Sequence, residues 1–355
     1  MTAYYVSNSG SDSNNGLTEG TAFASPGHAA SVATTAGDVI YIKADGIYNF
    51  TTSTTNASGG FISLSGSVGI EGYGTTVGDN VIATIANNGF TGGSGGNIAM
   101  INHSGSADQF GPPTFFKNIK LDGRSDGSTE ALALTLGLSS SDEDYVWVNC
   151  EFHYGTIAGL AAASGGNGYR IYDSYFYNVA NTTVHTVVGC FFEQSQVTAH
   201  TISNCIGKNI GSLWDFPAAT NLSGLNAIES VSNTIIWNDS TWSEPGHKPL
   251  GSSSRWNQSA DISNCIIWSD GRLPYWDASG GEGLGPMHNV AYGNMSDPFS
   301  ATAFGSALPI EPAQHRNVFE IFGDPFVDAP NNDFRLKKSG AGLLLRNNFV
   351  LRDLP

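Results

Sequence analysis

The sequence has few charged residues, and basic residues are especially scarce. Charged residues make up 13% of the 355-residue chain, and 15 Lys and Arg stand against 31 Asp and Glu, which gives a formal net charge of -16. Such a chain repels a phosphate backbone on average, and no run of Lys or Arg offers a local exception. Nucleic acid is therefore not an expected partner.

Long apolar runs are also missing. No stretch approaches the roughly 18 to 20 continuous apolar residues that a membrane-spanning helix needs, so no membrane association is expected. The first residues pass directly into strand-like sequence, without the basic and apolar regions of a signal peptide. We therefore expect no classical secretion signal.

Cysteine is rare as well: the chain has four, and none forms a C-x-x-C or C-x-x-H pair. All four occupy the central position of a five-residue phrase that recurs along the sequence. This pattern favours small buried apolar residues over a disulfide or metal set. No metal site is expected from the cysteines, and no cofactor.

Glycine, by contrast, is abundant at 44 residues, and 40% of the chain is apolar, which is typical of many turns and short strands around a long core. A short phrase recurs, in which a small residue is followed by alternating apolar positions. Its occurrences are Val-Asn-Cys150-Glu-Phe, Tyr-Asp-Ser174-Tyr-Phe, Val-Gly-Cys190-Phe-Phe, Ser-Asn-Cys205-Ile-Gly, Ser-Asn-Thr234-Ile-Ile and Ser-Asn-Cys265-Ile-Ile. The irregular spacing between them indicates strands separated by loops of varying length.

Strand alternation places the small residue and the residue two later on one face, as with Cys150 and Phe152 or Cys265 and Ile267. The connections are too short for crossover helices, so stacked strands of one direction are predicted to form a parallel solenoid with inward ladders. The Asn before the small residue suits either a bend in the left-handed region or an amide ladder along the stack. These residues are Asn149, Asn204, Asn233 and Asn264.

Both ends of the chain carry further motifs. The N-terminal part reads Tyr5-Val-Ser-Asn-Ser-Gly-Ser-Asp12, Gly16, Phe23-Ala-Ser25-Pro26-Gly-His28 and Ala36-Gly37-Asp38-Val-Ile-Tyr-Ile-Lys43. Near the other end stand Gly323-Asp324-Pro-Phe326-Val-Asp328 and Asn331-Asn-Asp333-Phe-Arg335-Leu336. These segments resemble the opening and closing segments of the pectate-lyase-like superfamily of right-handed β-helix proteins.

The resemblance implies an all-β, right-handed parallel β-helix with a short N-terminal capping helix. Ser25 suits the N-cap and Pro26 the first helical position, and we expect the helix to run to Ala36 with Gly37 at its end. The predicted solenoid covers residues 1–338, with a cap at about 1–50 and long loops at 239–260 and 270–315. Residues 339–355, which include Leu343 to Leu345, depart from the family pattern and are predicted to form a tail that contacts an assembly partner.

Uronate lyases of this superfamily use calcium and a basic residue that takes the proton next to the substrate carboxylate. The best local candidates for catalysis are Lys120, Asp122 and Arg124, which alternate on one strand face. A solvated strand face explains the same charges. The paired carboxylates and phrases of the superfamily's glycoside hydrolases are not evident.

Five of the seven Trp lie within forty residues, at Trp237, Trp242, Trp256, Trp268 and Trp276. Trp237 and Trp268 hold matching positions and face opposite to Ile236 and Ile267, so an outward ladder is predicted if the Ile side chains face inward. With Trp276, Asp239 and Asp270 beside it, such a ladder suits a sugar chain. Burial under the long loops and burial under a partner subunit are equal alternatives.

Three function classes follow from these features, and the third is a non-catalytic carbohydrate-binding module that would use the ladder of Trp237 and Trp268. The first is a non-catalytic virion surface protein, namely a phage spike, fibre or capsid decoration that is homotrimeric, contacts other virion proteins and binds a surface polysaccharide. The phage β-helix spikes are the nearest in style, and the lack of a clear catalytic constellation favours this reading. The alternative is an extracellular polysaccharide lyase or glycoside hydrolase, with calcium as cofactor if it is a lyase of acidic glycans.

Overall fold

The computed structural model describes residues 1–50, 60–64, 66–87, 99–103, 113–123, 133–136, 145–157, 169–195, 197–210, 230–238, 261–269, 287–293 and 316–348. The described residues up to His185 form one compact unit, and those from Thr186 form a second. Both units consist almost entirely of parallel strands. Among the described residues, no helix is long and apolar enough to cross a membrane.

The first unit begins with an N-terminal cap. It contains β1 (Ala3–Val6), a 3-10 helix (Glu19–Thr21) and helix α1 (Pro26–Val32). Its strands continue with β2 (Val39–Lys43), β3 (Ile47–Phe50), β4 (Gly60–Leu64), β5 (Gly69–Tyr73), β6 (Ala83–Asn87), β7 (Ala99–His103), β8 (Thr114–Lys117), β9 (Ile119–Asp122), β10 (Ala133–Leu136), β11 (Tyr145–Val148), β12 (Glu151–Ile157), β13 (Tyr169–Tyr172) and β14 (Tyr175–Val188).

The strands of the first unit pair in three parallel ladders. One ladder runs β1, β2, β5, β8, β11, β13, and the second runs β3, β6, β9, β12, β14. The third joins β4, β7, β10 and the end of β12. From β2 onward, consecutive strands therefore lie in different ladders, and the chain returns to the first ladder after each coil, which is the parallel solenoid that the repeated phrases predict.

Helix α1 closes the first coil and confirms the predicted cap. The backbone N–H of His28 donates to Ser25 Oγ at 3.1 Å, Pro26 stands at the helix start, and Ala29 and Ala30 are buried. The helix ends at Val32, four residues earlier than predicted. A turn follows instead, in which the Asp38 carboxylate accepts the Thr35 N–H and so competes with further helix.

The second unit contains β15 (Phe191–Glu193), β16 (Val197–Ser203), β17 (Ile206–Lys208), β18 (Ser230–Ser232), β19 (Ile235–Asn238), β20 (Asp261–Ser269), β21 (Met287–Gly293) and β22 (Arg316–Ile321), which pair in parallel. An antiparallel pair, β23 (Phe326–Asp328) and β24 (Asp333–Leu336), and helix α2 (Gly340–Asn348) follow. We call residues 322–348 the C-terminal cap. The division at residue 338 and an assembly role of the tail stay predictions.

The chain is thus an all-β, right-handed parallel β-helix with an N-terminal capping helix, as the sequence predicts. Its interior holds the residues that alternation places inward, and Phe152, Phe176, Phe192, Ile236 and Ile267 are all at most 1% exposed. The four cysteines are free and buried. Burial raises the pKa of the Cys150 thiol to about 12, so this sulfur stays protonated and unreactive.

The residue at the centre of each phrase is small because its side chain turns back onto its own strand. Each donates to the carbonyl two residues earlier: Cys150 to Val148 at 3.4 Å, Ser174 to Tyr172 at 2.7 Å, Cys190 to Val188 at 3.4 Å, Cys205 to Ser203 at 3.1 Å, Thr234 to Ser232 at 2.9 Å and Cys265 to Ser263 at 3.2 Å. Ser, Thr and Cys are interchangeable here since all three are compact donors.

The bends before these residues confirm both interpretations of the asparagines. The backbone angle φ is +51° at Asn149, +54° at Asn204, +50° at Asn233 and +53° at Asn264. In the first unit, the Asn149 amide donates to Asn118 Oδ1 at 2.7 Å, and in the second unit Asn289 donates to Asn264 at 3.0 Å. Asparagine therefore serves as a left-handed bend and as a hydrogen-bonded ladder.

Candidate functional site

Three neighbouring strands of the first unit, β9, β12 and β14, carry polar and aromatic side chains on their outward face. Parallel pairing brings Lys120, Glu151 and Tyr175 into one row, and Asp122, His153 and Tyr177 into the next. The intervening residues Leu121, Phe152 and Phe176 are fully buried inside the solenoid. We call the six outward residues the polar strip.

The Glu151 carboxylate is the electrostatic centre of the polar strip. One of its oxygens, Oε2, lies 3.7 Å from Lys120 Nζ and 3.2 Å from His153 Nε2. The Lys120, Glu151 and His153 side chains are 24%, 31% and 14% exposed, so a ligand can reach them while water only partly screens them.

The His153 contact and the Lys120 charge hold the pKa of Glu151 below its usual range, although partial burial opposes them. The carboxylate is therefore ionised at neutral pH. The His153 imidazole is close enough to hydrogen-bond it, but its N–H direction lies off the line to the oxygen. Such pairs often tighten only when a ligand is bound.

Tyrosine rings surround the imidazole of His153. The Tyr175 ring meets it nearly edge-on at a centroid distance of 5.5 Å and an angle of 82°, and the Tyr177 ring lies at 5.8 Å. Tyr154, on the bend that follows, packs at 5.3 Å against Tyr177. Aromatic faces and phenol hydroxyls beside a charged cluster are suited to a hydroxyl-rich ligand such as a sugar.

The sequence-predicted catalytic residues fall partly on this strip. Lys120 and Asp122 share the outward face of β9, as alternation predicts, and Arg124 lies outside the described residues. Their catalytic role stays a prediction. Glu151, Tyr175 and Tyr177 were missed, although they stand one or three places after the small residue of a phrase. Aligning the phrases around Cys150 and Ser174 with the segment Ile119–Asp122 would have placed these residues beside Lys120 and Asp122.

The exposed aromatic ladder of the second unit is corrected by the structure. Trp237 and Trp268 do pair in register on the outward face, but they are only 3% and 6% exposed. Their rings belong to a core cluster with Phe326, Ala329, Leu336 and Leu345 of the C-terminal cap. The outward direction of the two rings is as alternation predicts, but the exposed alternative is wrong, because alternation gives the direction of a side chain and not what covers it.

Two further contacts keep this region closed. Trp268 lies over Gly293, where a Cβ atom would come within 2.3 Å of the indole ring. The buried Lys208 ammonium lies 2.8 Å from the Pro330 carbonyl oxygen and 2.7 Å from Asn332 Oδ1 of the cap, and 3.1 Å from Glu193. The other residues of the predicted glycan site, Trp276, Asp239 and Asp270, lie outside the described residues.

Calcium would need a cluster of oxygen ligands. The described part of the chain contains no group of three or more His, Cys, Asp or Glu side chains that could hold a metal ion. The residues of the polar strip do not fit such a site.

Comparison with known proteins bears on the fold. No family model and no curated protein matches the chain. Among solved structures, a rhamnogalacturonan lyase matches with a TM-score of 0.54 and 13% identity over 100% of this chain and 95% of its own. A GH136 lacto-N-biosidase from Eubacterium ramulus matches at a TM-score of 0.35 and 10% identity, over 90% of this chain and 67% of its own. At this identity the first likeness establishes a shared fold.

Proposed function

We propose that this chain is a carbohydrate-active protein that binds an acidic polysaccharide on the polar strip and cleaves it by β-elimination. The observation that carries the proposal is the joint contact of Lys120 and His153 with one oxygen of Glu151, beside two tyrosine rings, on an outward face. The fold shared with a rhamnogalacturonan lyase supports it. It corresponds to the enzyme alternative of the sequence analysis.

The groups of the strip match the needs of this reaction. Elimination requires a cation beside the substrate carboxylate, a base for the neighbouring proton, and a surface that holds the sugar ring. Lys120 supplies the cation, and Tyr175 and Tyr177 supply the surface. The chain is acidic overall, but charges more than about 8 Å apart are largely screened at physiological ionic strength, so local groups decide binding.

The test is a panel of acidic polysaccharides, incubated with the protein with and without calcium, in which the unsaturated product is followed by its ultraviolet absorbance. Lys120→Met should weaken binding by roughly 10-fold or more, because it removes the cation that would meet the substrate carboxylate. Lys43→Met is the matched control, since Lys43 lies outside the polar strip and forms a comparable ion pair, in which its Nζ is 3.4 Å from the Glu19 carboxylate.

Two outcomes would count against the proposal. One is a protein that neither retains nor cleaves any acidic polysaccharide. The other is equal loss of binding in the Lys120 and Lys43 variants, which would point to a general charge effect. The virion-surface role, the trimeric state and the place of action stay predictions, and no contact of the described residues favours them.

A further inference from the structure

We propose that His153 is the residue that accepts the proton in this elimination, and that Glu151 positions it. The inference rests on the proposed function and deepens it by dividing the roles within the polar strip. It differs from the sequence prediction, in which Lys120, Asp122 and Arg124 carry the chemistry.

The first argument is the chemistry of the two nitrogen groups. An ammonium ion has three donors and no acceptor, so Lys120 beside an ionised Glu151 can attract a carboxylate but cannot take a proton. Imidazole is the side chain that changes charge between about pH 5 and 8, and its neutral form has one free acceptor nitrogen. His153 is therefore the proton acceptor of the pair and Lys120 the electrostatic partner.

The second argument is orientation. Nε2 of His153 faces the Glu151 carboxylate at 3.2 Å, and this contact favours the tautomer that carries the proton on Nε2. Nδ1 is then the nitrogen left to accept. Glu151 also contacts Lys120 through the same oxygen, so one carboxylate sets the positions of both the base and the cation.

The third argument is the environment of the imidazole. The strand on one side presents Lys120 and Asp122, and the strand on the other side presents Tyr175 and Tyr177. Its own strand contributes Glu151. The ring is only 14% exposed and lies against the phenol rings, so few water molecules compete with a bound substrate.

The reaction balances without an oxidant or reductant. Nδ1 takes the proton from the sugar carbon that bears the carboxylate, and the C–H electron pair forms a double bond to the next carbon. The bond from that carbon to the glycosidic oxygen breaks, and the oxygen takes a proton from water. The imidazolium then returns its proton to water, while the Lys120 ammonium stabilises the charge on the substrate carboxylate.

The decisive variant is His153→Gln, assayed on the polysaccharide that the wild-type protein cleaves. We expect kcat to fall about 100-fold or more, with KM and retention on the polysaccharide changed by less than about threefold. His288→Gln is the matched control, because His288 lies on β21, is similarly half-buried and is outside the polar strip. Circular dichroism and the unfolding midpoint show whether each variant is folded.

Glu151→Gln tests the positioning role by comparing kcat with KM, because a purely structural role of Glu151 in packing would not change kcat alone. Replacing the carboxylate leaves the imidazole without the group that orients it, so kcat should fall about 10-fold or more while KM does not rise. Asp79→Asn, on an exposed turn outside the polar strip, should leave kcat and KM unchanged.

The outcomes separate the two proposals. If the wild-type protein cleaves and folded His153→Gln cleaves at a similar rate, the assignment of His153 is wrong and the function stands. An unchanged kcat in folded Glu151→Gln would overturn the positioning role. If the wild-type protein binds no acidic polysaccharide, the proposed function fails, and this inference fails with it.

Discussion

The outward faces of the two units differ although the same phrase builds them. In the first unit, the positions one and three after the small residue are Glu151 and His153, half-buried and in contact with charged groups. In the second unit, the matching positions are Ile235 and Trp237, at most 3% exposed. The repeated strand therefore supplies two outward positions per coil, and their use depends on what lies over them.

The covering segment explains the difference. In the second unit the C-terminal cap packs Phe326, Ala329 and Leu345 onto the outward face, so apolar residues are stabilised there by burial. In the first unit the polar strip is partly exposed, and Lys120 and His153 contact the Glu151 carboxylate instead. An outward aromatic residue in such a repeat is evidence for a ligand site only once it is known that no other segment of the chain packs over it.

The largest expected effect is on the covered face. Trp268→Ala should lower the free energy of unfolding by about 3–5 kcal/mol, because it removes a large buried ring from a closed cluster. Tyr177→Ala, at the matching position of the polar strip, should cost clearly less. Urea titrations of both variants measure this. A small loss for Trp268→Ala, together with weakened glycan retention, would restore the exposed ladder.

A smaller effect is expected where Lys208 holds the cap. Lys208→Ala removes the cation that contacts Glu193 and two oxygens of the cap, and should cost about 3 kcal/mol because the site is buried. Limited proteolysis within residues 322–348 should accelerate as the cap opens. The partly exposed ion pair of Lys43 provides the contrast, since Lys43→Ala should cost less than about 1 kcal/mol. Equal protease resistance of the Lys208 variant and the wild type would contradict this.

The smallest effect concerns the accessible face and depends on pH. The pKa of Glu151 is lower in the folded chain than in the unfolded one, so its stabilisation is present above roughly pH 4.3 and is lost as the pH falls through the folded value. Glu151→Gln should cost less than about 1 kcal/mol at pH 7, because the pair is partly solvated. The difference from wild type should shrink at lower pH, as unfolding curves at several pH values will show. A gap that widens towards acid would contradict the shift.

Much of the fold could be read from local pattern. The direction of Phe152 and Ile267, the bends at Asn149 and Asn264 and the burial of the cysteines follow from alternation and from backbone preferences, which act over a few residues. The end of helix α1 was missed because the side chain of Asp38 captures the Thr35 backbone and stops the helix early.

By itself, the sequence determined which face each phrase residue takes, because strand periodicity and the αL preference of Asn operate locally. Only the tertiary structure decided which outward residues meet each other and which are covered. Lys120 reaches Glu151 across 31 residues of chain, and Trp237 is buried by residues about a hundred positions later. Such contacts depend on the register of stacked coils and on the docking of a distant segment, and neither leaves a periodic trace in the chain.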